Sequence, residues 1–296
     1  MKKRSLFGLL TILAFCTGCQ ASATKQNPGN SDSGVAGDSL SRTSGKTVSK
    51  AKEPDTVPRG VKALLEAYPD FISGWNGHDV IFRDGSKMIY DDGKKKSFEQ
   101  RLDDSDIEDM FSDIYKDHSG APEYLADAGR SRSEALFKKM YGNSDGAVRK
   151  NLKRVDWFGE KVQFTHVNGA ADSLRQVAAE LARYPELRKY LKSSGTFYWR
   201  KVRGANRQSA HSYGIAFDIG VAYSDYWKWK NPKAGETTKI KYANRIPKQI
   251  VDIFRRHGFI WGGNWYHYDT MHFEFRPELL SYAKNNTEES INEYSE

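Results

Sequence analysis

Cysteine is nearly absent. The 296 residues hold two, Cys16 and Cys19, both close to the N-terminus. Beyond them no disulfide can form and no thiolate is available, so any metal held there must take His and carboxylate ligands. Long apolar runs are also lacking: the stretch Leu6 to Phe15 is too short to span a bilayer comfortably. No repeat of fixed period is present. Nor is there a concentrated Lys/Arg stripe interleaved with aromatics, which argues against nucleic acid as a partner.

Aromatic residues are plentiful, with 16 Tyr, 15 Phe and 7 Trp, enough to furnish a packed core. The net charge is +8, but Lys2, Lys3 and Arg4 belong to the N-terminal segment, and no acid precedes Asp32. Taking those three from the 46 Lys and Arg leaves 43 against 38 acids, a modest excess compatible with a polyanionic surrounding or with solubility alone. Basic residues followed by a short apolar run read as an export signal over 1–23. Within it, Cys16-Thr17-Gly18-Cys19 resembles the lipobox of bacterial lipoproteins, which would lipidate Cys19 and anchor the chain to a membrane. Ala21-Ser22-Ala23 offers a competing site for ordinary cleavage. Residues 24–58 are rich in Ser, Gly, Thr, Asn and Lys and read as a flexible linker. The globular region follows, divided into 59–160, a stretch without an assignable chemical motif that is a candidate substrate lobe, and 161–285, the domain that carries the chemistry; 286–296 form a tail.

Val61, Leu64 and Leu65 predict a short amphipathic segment ending by Pro69. Residues 79–82 and 87–90 predict a hairpin about the turn-rich 83–86. Ile107, Met110, Phe111 and Ile114 fall at helical spacing over 105–115, as do Leu174, Val177 and Leu181 over 171–183. Thr196 to Trp199 is β-prone, Pro247 to His257 is helical with Gly258 closing it, and Met271 to Phe275 alternates. Helices early and strands late predict an α+β fold, an antiparallel sheet with flanking helices. Tyr68, Phe71 and Trp75 are either groove lining or ordinary core.

Two segments carry the chemistry. In Ser209-Ala210-His211-Ser212-Tyr213-Gly214-Ile215-Ala216-Phe217-Asp218, the alternation of a strand sends Ile215, Phe217 and Ile219 to the core and Ala216 and Asp218 to the other face. His211 stands in the preceding loop. In Asp269-Thr270-Met271-His272-Phe273-Glu274-Phe275, His272 and Glu274 share the polar face. On neighbouring strands these faces would gather two imidazoles and a carboxylate, a ligand set suited to Zn2+ with a fourth position for water. Asp269 precedes its strand, where a carboxylate can serve as general base. Glu274 is expected to orient a ligand imidazole. By spacing alone the same residues also read as a hydrogen-bonded structural acid and core histidines.

The pattern Ser-x-His-x-x-Gly-x-Ala-x-Asp at 209–218, with Asp-x-x-His at 269–272, resembles the zinc D-alanyl-D-alanine carboxypeptidases. That family includes vancomycin-resistance dipeptidases and phage L-alanyl-D-glutamate endolysins, and it shares its fold with the Hedgehog signalling domain. The resemblance implies a Hedgehog/DD-peptidase-like fold, Zn2+ on His211, Asp218 and His272, and Asp269 as catalytic base, where many members carry Glu. It also implies an upstream Arg that stabilises the oxyanion: Arg200, with Arg203 and Arg207 as fallbacks. The expected activity is hydrolysis of peptidoglycan stem peptides in the cell envelope, of D-alanyl-D-alanine carboxypeptidase or L-alanyl-D-glutamate endopeptidase type. A non-catalytic zinc-containing cell-wall-binding module is the alternative of another class. His267, five residues before His272, is left to contact substrate, while His78, His118, His166 and His257 have no partner spacing.

Overall fold

A computed structural model describes residues 56–117 and 120–293. The export signal, Cys19, the linker up to residue 55 and His118 lie outside the described residues. Among those described, no helix is long and apolar enough to cross a membrane.

The expected segment at Val61 is helix α1 (Arg59–Ala67), which buries Val61, Ala63 and Leu64. Strands β1 (Ile72–Trp75), β2 (Asp79–Phe82) and β3 (Lys87–Ile89) follow as an antiparallel sheet in that order. The turn between β2 and β3 is the one anticipated, with Asp84 accepting from the Ser86 N–H at 3.0 Å. After α2 (Phe98–Asp103), the helix expected over 105–115 shrinks to a single 3-10 turn, Glu108–Phe111. Here Asp106 and Asp109 each accept the other's backbone N–H, at 2.9 and 3.1 Å, and both carboxylates bind Lys96 Nζ. Side-chain capping of this kind competes with helix propagation.

Helices α3 (Glu134–Tyr141) and α4 (Asp145–Lys150) lead into the hairpin β4 (Leu152–Trp157) and β5 (Glu160–Thr165). Helix α5 (Ala170–Leu181) presents Leu174, Val177 and Leu181 to the core, as its spacing required. Strand β6 (Ser193–Gly195) is short, and the β-prone run 196–199 does not extend it. Instead Ser212 Oγ accepts from the Arg200 N–H at 2.9 Å and donates to the Arg200 carbonyl at 2.8 Å. That pair of bonds ties the run to the His211 turn rather than to the sheet.

Strand β7 (Ala216–Ile219), the single-turn α6 (Trp227–Lys230), α7 (Lys248–Arg256), β8 (Phe259–Trp261), β9 (His272–Phe275) and α8 (Pro277–Glu293) complete the chain. A four-stranded antiparallel sheet has the order β6-β7-β9-β8. Helix α7 covers one face of it with Ile250, Val251, Ile253 and Phe254, and Phe254 stacks on Phe273 at 4.0 Å between ring centroids. Each such side chain contributes on the order of 1.5–3 kcal/mol by leaving water. The fold is α+β, with small antiparallel sheets and flanking helices.

Tyr68 and Phe71 pack in or against this core rather than along a groove; the Tyr68 hydroxyl donates to buried Glu278 at 2.5 Å.

Candidate metal centre

Strands β7 and β9 are antiparallel neighbours with Asp218 directly opposite His272, and Phe217 opposite Phe273. Register therefore joins the polar residues on one face and the aromatics on the other. His211 comes from the 3-10 turn Ala210–Tyr213, which ends at Gly214 with φ +68. A Cβ there would lie 2.6 Å from Leu152 Cδ2, so both conformation and space call for glycine. That turn carries His211 back over β7.

One ligand atom each from His211, Asp218 and His272 lies within 4.8 Å of the other two. His211 Nε2 is 3.2 Å from Asp218 Oδ2, and His272 Nδ1 is 2.8 Å from Asp218 Oδ1. The opposite nitrogen of each imidazole is already engaged. His211 Nδ1 donates to the Thr196 carbonyl at 2.5 Å, and His272 Nε2 donates to Glu274 Oε1 at 2.9 Å. Such outer partners fix tautomer and ring direction in metal sites, and here they turn His211 Nε2 and His272 Nδ1 toward Asp218, where a metal could be held. Two imidazole nitrogens, a carboxylate and no thiolate fit Zn2+. Glu274 lies on the polar face that its alternation assigned, in contact with His272.

Charge in the site is tightly interlocked. Burial disfavours an ionised Asp218, but His211 and His272 outweigh it and hold its carboxyl well below the usual range. For His272, burial is outweighed by the bonds to Asp218 and Glu274, which push it up to about 10. Glu274 is 1% exposed; burial opposes its charge, yet Arg132, His272 and Arg276 hold its carboxyl at about 2. From His272 a chain of buried polar contacts runs through Glu274 and Arg276 to Glu278 and Tyr68.

Asp269 sits beside this cluster. Its backbone N–H donates to the Gly262 carbonyl at 2.9 Å, and its carbonyl accepts from the His272 N–H at 3.1 Å. Its Oδ1 is enclosed without a hydrogen-bond partner. Burial, resisted by His272 and reinforced by Asp218, raises its carboxyl to about 7. Trp261 to Tyr266 form the expected turn, and Trp265 lies 5.6 Å from the His272 ring, walling the cleft.

The cleft measures about 560 Å³ and brings together His211, Asp218, His272 and Asp269. Arg200, Arg203 and Arg207 also line it. Arg200 is exposed, its guanidinium reaching only the Lys201 carbonyl at 3.3 Å. Arg207 is buried and committed to Asp103 at 2.5 Å. Arg200 therefore stands in an irregular segment at the mouth rather than after a strand.

Residues 59–160 contribute to the wall of the cleft through side chains that the sequence reading did not single out. Arg130 and Arg132 both line the cleft, Arg132 bonding Glu274 at 3.2 Å. The only signal was their alternation in Gly129-Arg130-Ser131-Arg132, which does not reveal burial. His267 lies outside the ligand triad but lines the same cleft, with Nδ1 2.5 Å from Asp127 Oδ2. His78 and His166 are exposed, and His257 caps α7 while bonding Gln176 and Glu180.

Residues 203–275 match the family model for D-alanyl-D-alanine carboxypeptidase. The match contains His211, Asp218, Asp269 and His272 and begins just after Arg200. It supports the kinship read from the motif. No curated protein matches the chain.

Proposed function

We propose that this protein is a zinc metallopeptidase that hydrolyses peptidoglycan stem peptides as a D-alanyl-D-alanine carboxypeptidase. The observation that carries the reading is the Asp269 carboxylate, half-buried and with its Oδ1 enclosed and unpartnered among the described residues, in one cleft with the His211, Asp218 and His272 set. A purely structural metal site needs no base beside it. The carboxypeptidase family match over the same residues supports the assignment.

His211, Asp218 and His272 would hold the Zn2+, which would supply Lewis acidity and acidify water at the site. Asp269 takes the proton of the attacking water on its carboxylate and returns it to the leaving amine. Thr196 and Glu274 keep the two imidazoles aimed while this happens. Arg200, at the mouth, is assigned to the negative charge that develops on the carbonyl oxygen, where a guanidinium favours the transition state over the ground state. Trp265 and Trp227 limit solvent access. In the same proposal the activity is carried on a lipid anchor at Cys19 in the envelope; the basic residues and short apolar run ahead of Cys19 support that reading.

The test is digestion of purified stem peptides, with products identified by mass spectrometry. Wild type, Asp269→Ala and chelator-treated protein are run together. Release of terminal D-Ala that disappears in both controls is expected. A cut after L-Ala would transfer the assignment to an endopeptidase. No cleavage by folded, zinc-loaded protein would refute the enzyme and leave a binding module.

A further inference from the structure

Behind the metal set, the cleft holds a second constellation that the proposed chemistry does not use. His267 is 1% exposed. Its backbone N–H donates to Asp127 Oδ1 at 3.0 Å and its ring Nδ1 lies 2.5 Å from Asp127 Oδ2, so one carboxylate holds both main chain and imidazole. Trp227 packs edge-on against the ring at 4.5 Å, and Phe98 lies 5.9 Å away on a tilted plane. The orientation is over-determined, yet Nε2, on the far side of the ring, has no hydrogen-bond partner. A buried polar atom without a hydrogen-bond partner is costly unless a ligand satisfies it.

Arg130 stands beside it, 11% exposed at its side chain, with Nη1 on Asp127 Oδ2 at 2.9 Å. Its other arm, Nη2, meets Glu236 Oε2 at 2.9 Å, and that same oxygen is 3.6 Å from His267 Nε2. Arg130 and His267 thus converge on one carboxylate oxygen. The two are built in: Asp127 and the aromatic packing hold them. Glu236 is not. Its side chain is 25% exposed and belongs to residues 231–246, which contain no helix or strand.

We propose that Arg130 and His267 form a carboxylate-recognition subsite of the metal cleft, and that Glu236 occupies it until a carboxylate of the peptide substrate takes its place. The exchange is one carboxylate for another, so Arg130 is never left buried with a charge unpaired, the condition that makes a broken buried pair expensive. A planar guanidinium beside an imidazole suits a carboxylate better than a neutral amide. The subsite selects anionic oligopeptides, and Glu236 competes with them. This rests on the peptidase reading for its substrate class.

The test uses the full zinc-loaded chain and the pentapeptide L-Ala-γ-D-Glu-L-Lys-D-Ala-D-Ala. Two single amides of it, at the C-terminus and at the D-Glu α-carboxylate, distinguish which carboxylate is read. Binding is followed by the His267 ring resonances in nitrogen-15 correlation spectra, and turnover by steady-state kinetics. Glu236→Gln, half-buried and on an irregular segment, is expected to lower KM for the free acid several-fold. Arg130→Lys and His267→Gln, admitted if their melting curves remain cooperative, should raise it. One amide should lose all these responses. Equal responses from the acid and both amides, or no response to Glu236→Gln, would overturn the subsite even if hydrolysis proceeds. A His267 shift with the acid, lost with one amide and without any hydrolysis, would uphold the subsite and sink the peptidase reading.

Discussion

Replacing Glu274 by Gln would test the charge network and the metal site together. The carboxylate accepts from His272 Nε2 at 2.9 Å, Arg132 Nη1 at 3.2 Å and Arg276 Nη1 at 3.2 Å, all at a residue 1% exposed. Gln keeps the volume, but one of its two terminal atoms becomes a donor facing other donors. Arg276 retains Glu278, and Arg132 retains the Gly129 carbonyl alone. Arg132 is therefore left buried beside a neutral partner, a loss of about 3–5 kcal/mol. At about 2–4 °C per kcal/mol for a domain of this size, the melting temperature should fall by roughly 6–20 °C. His272 loses the acceptor that fixes its tautomer, so zinc affinity should fall about 10–100-fold. Differential scanning fluorimetry of metal-free protein reads the first effect, and competition with a chromophoric chelator the second. A stability loss with unchanged zinc affinity would refute the orienting role of Glu274 and leave it a core ion-pair residue.

Four further outcomes are expected. Asp269→Asn should lower kcat by about 10²–10⁴ while metal content, measured by inductively coupled plasma spectrometry, stays at the wild-type level; parallel loss of metal would make Asp269 a ligand rather than a base. In the metal-free protein His272 holds its proton up to about pH 10, so zinc must displace it: affinity should rise with pH through neutrality, and calorimetry in buffers of different ionisation enthalpy should register proton release. The same raised value means that the stability His272 lends the metal-free protein is complete below pH about 6.5 and disappears as pH climbs through about 10. Gly214→Ala adds a Cβ at φ +68, which costs about 1–2 kcal/mol in the left-handed region, and it should weaken zinc binding by moving His211; an unchanged melting curve would remove the conformational argument.

Much of the site was legible because its signal is local. Alternation in Ile215 to Ile219 and Met271 to Phe275 assigns faces to Asp218, His272 and Glu274 without knowledge of their neighbours. The helix at Pro247 to His257 was equally plain from its apolar spacing and its closing glycine. Two readings failed for local reasons of another kind: Asp106 and Asp109 capped a helix into a single turn, and Ser212 drew 196–200 away from the sheet. Both depend on side chains bonding backbone, which hydrophobic periodicity does not register.

The chain's own order of residues determined the class of chemistry: no thiolate beyond Cys19, an Asp and a His on strand-compatible faces, a second His in the loop before the first strand, and a carboxylate three residues before the last His. Tertiary structure alone decided which groups meet. It set Asp218 opposite His272 across a pairing of residues 54 apart, and brought Arg132 to Glu274 from 142 residues away. It also buried His267 Nε2 without a hydrogen-bond partner among the described residues. Side-chain direction follows from the repeat of the backbone, a property of a few neighbours. Register, burial of a cation and an unsatisfied donor or acceptor arise only when distant segments pack and exclude water.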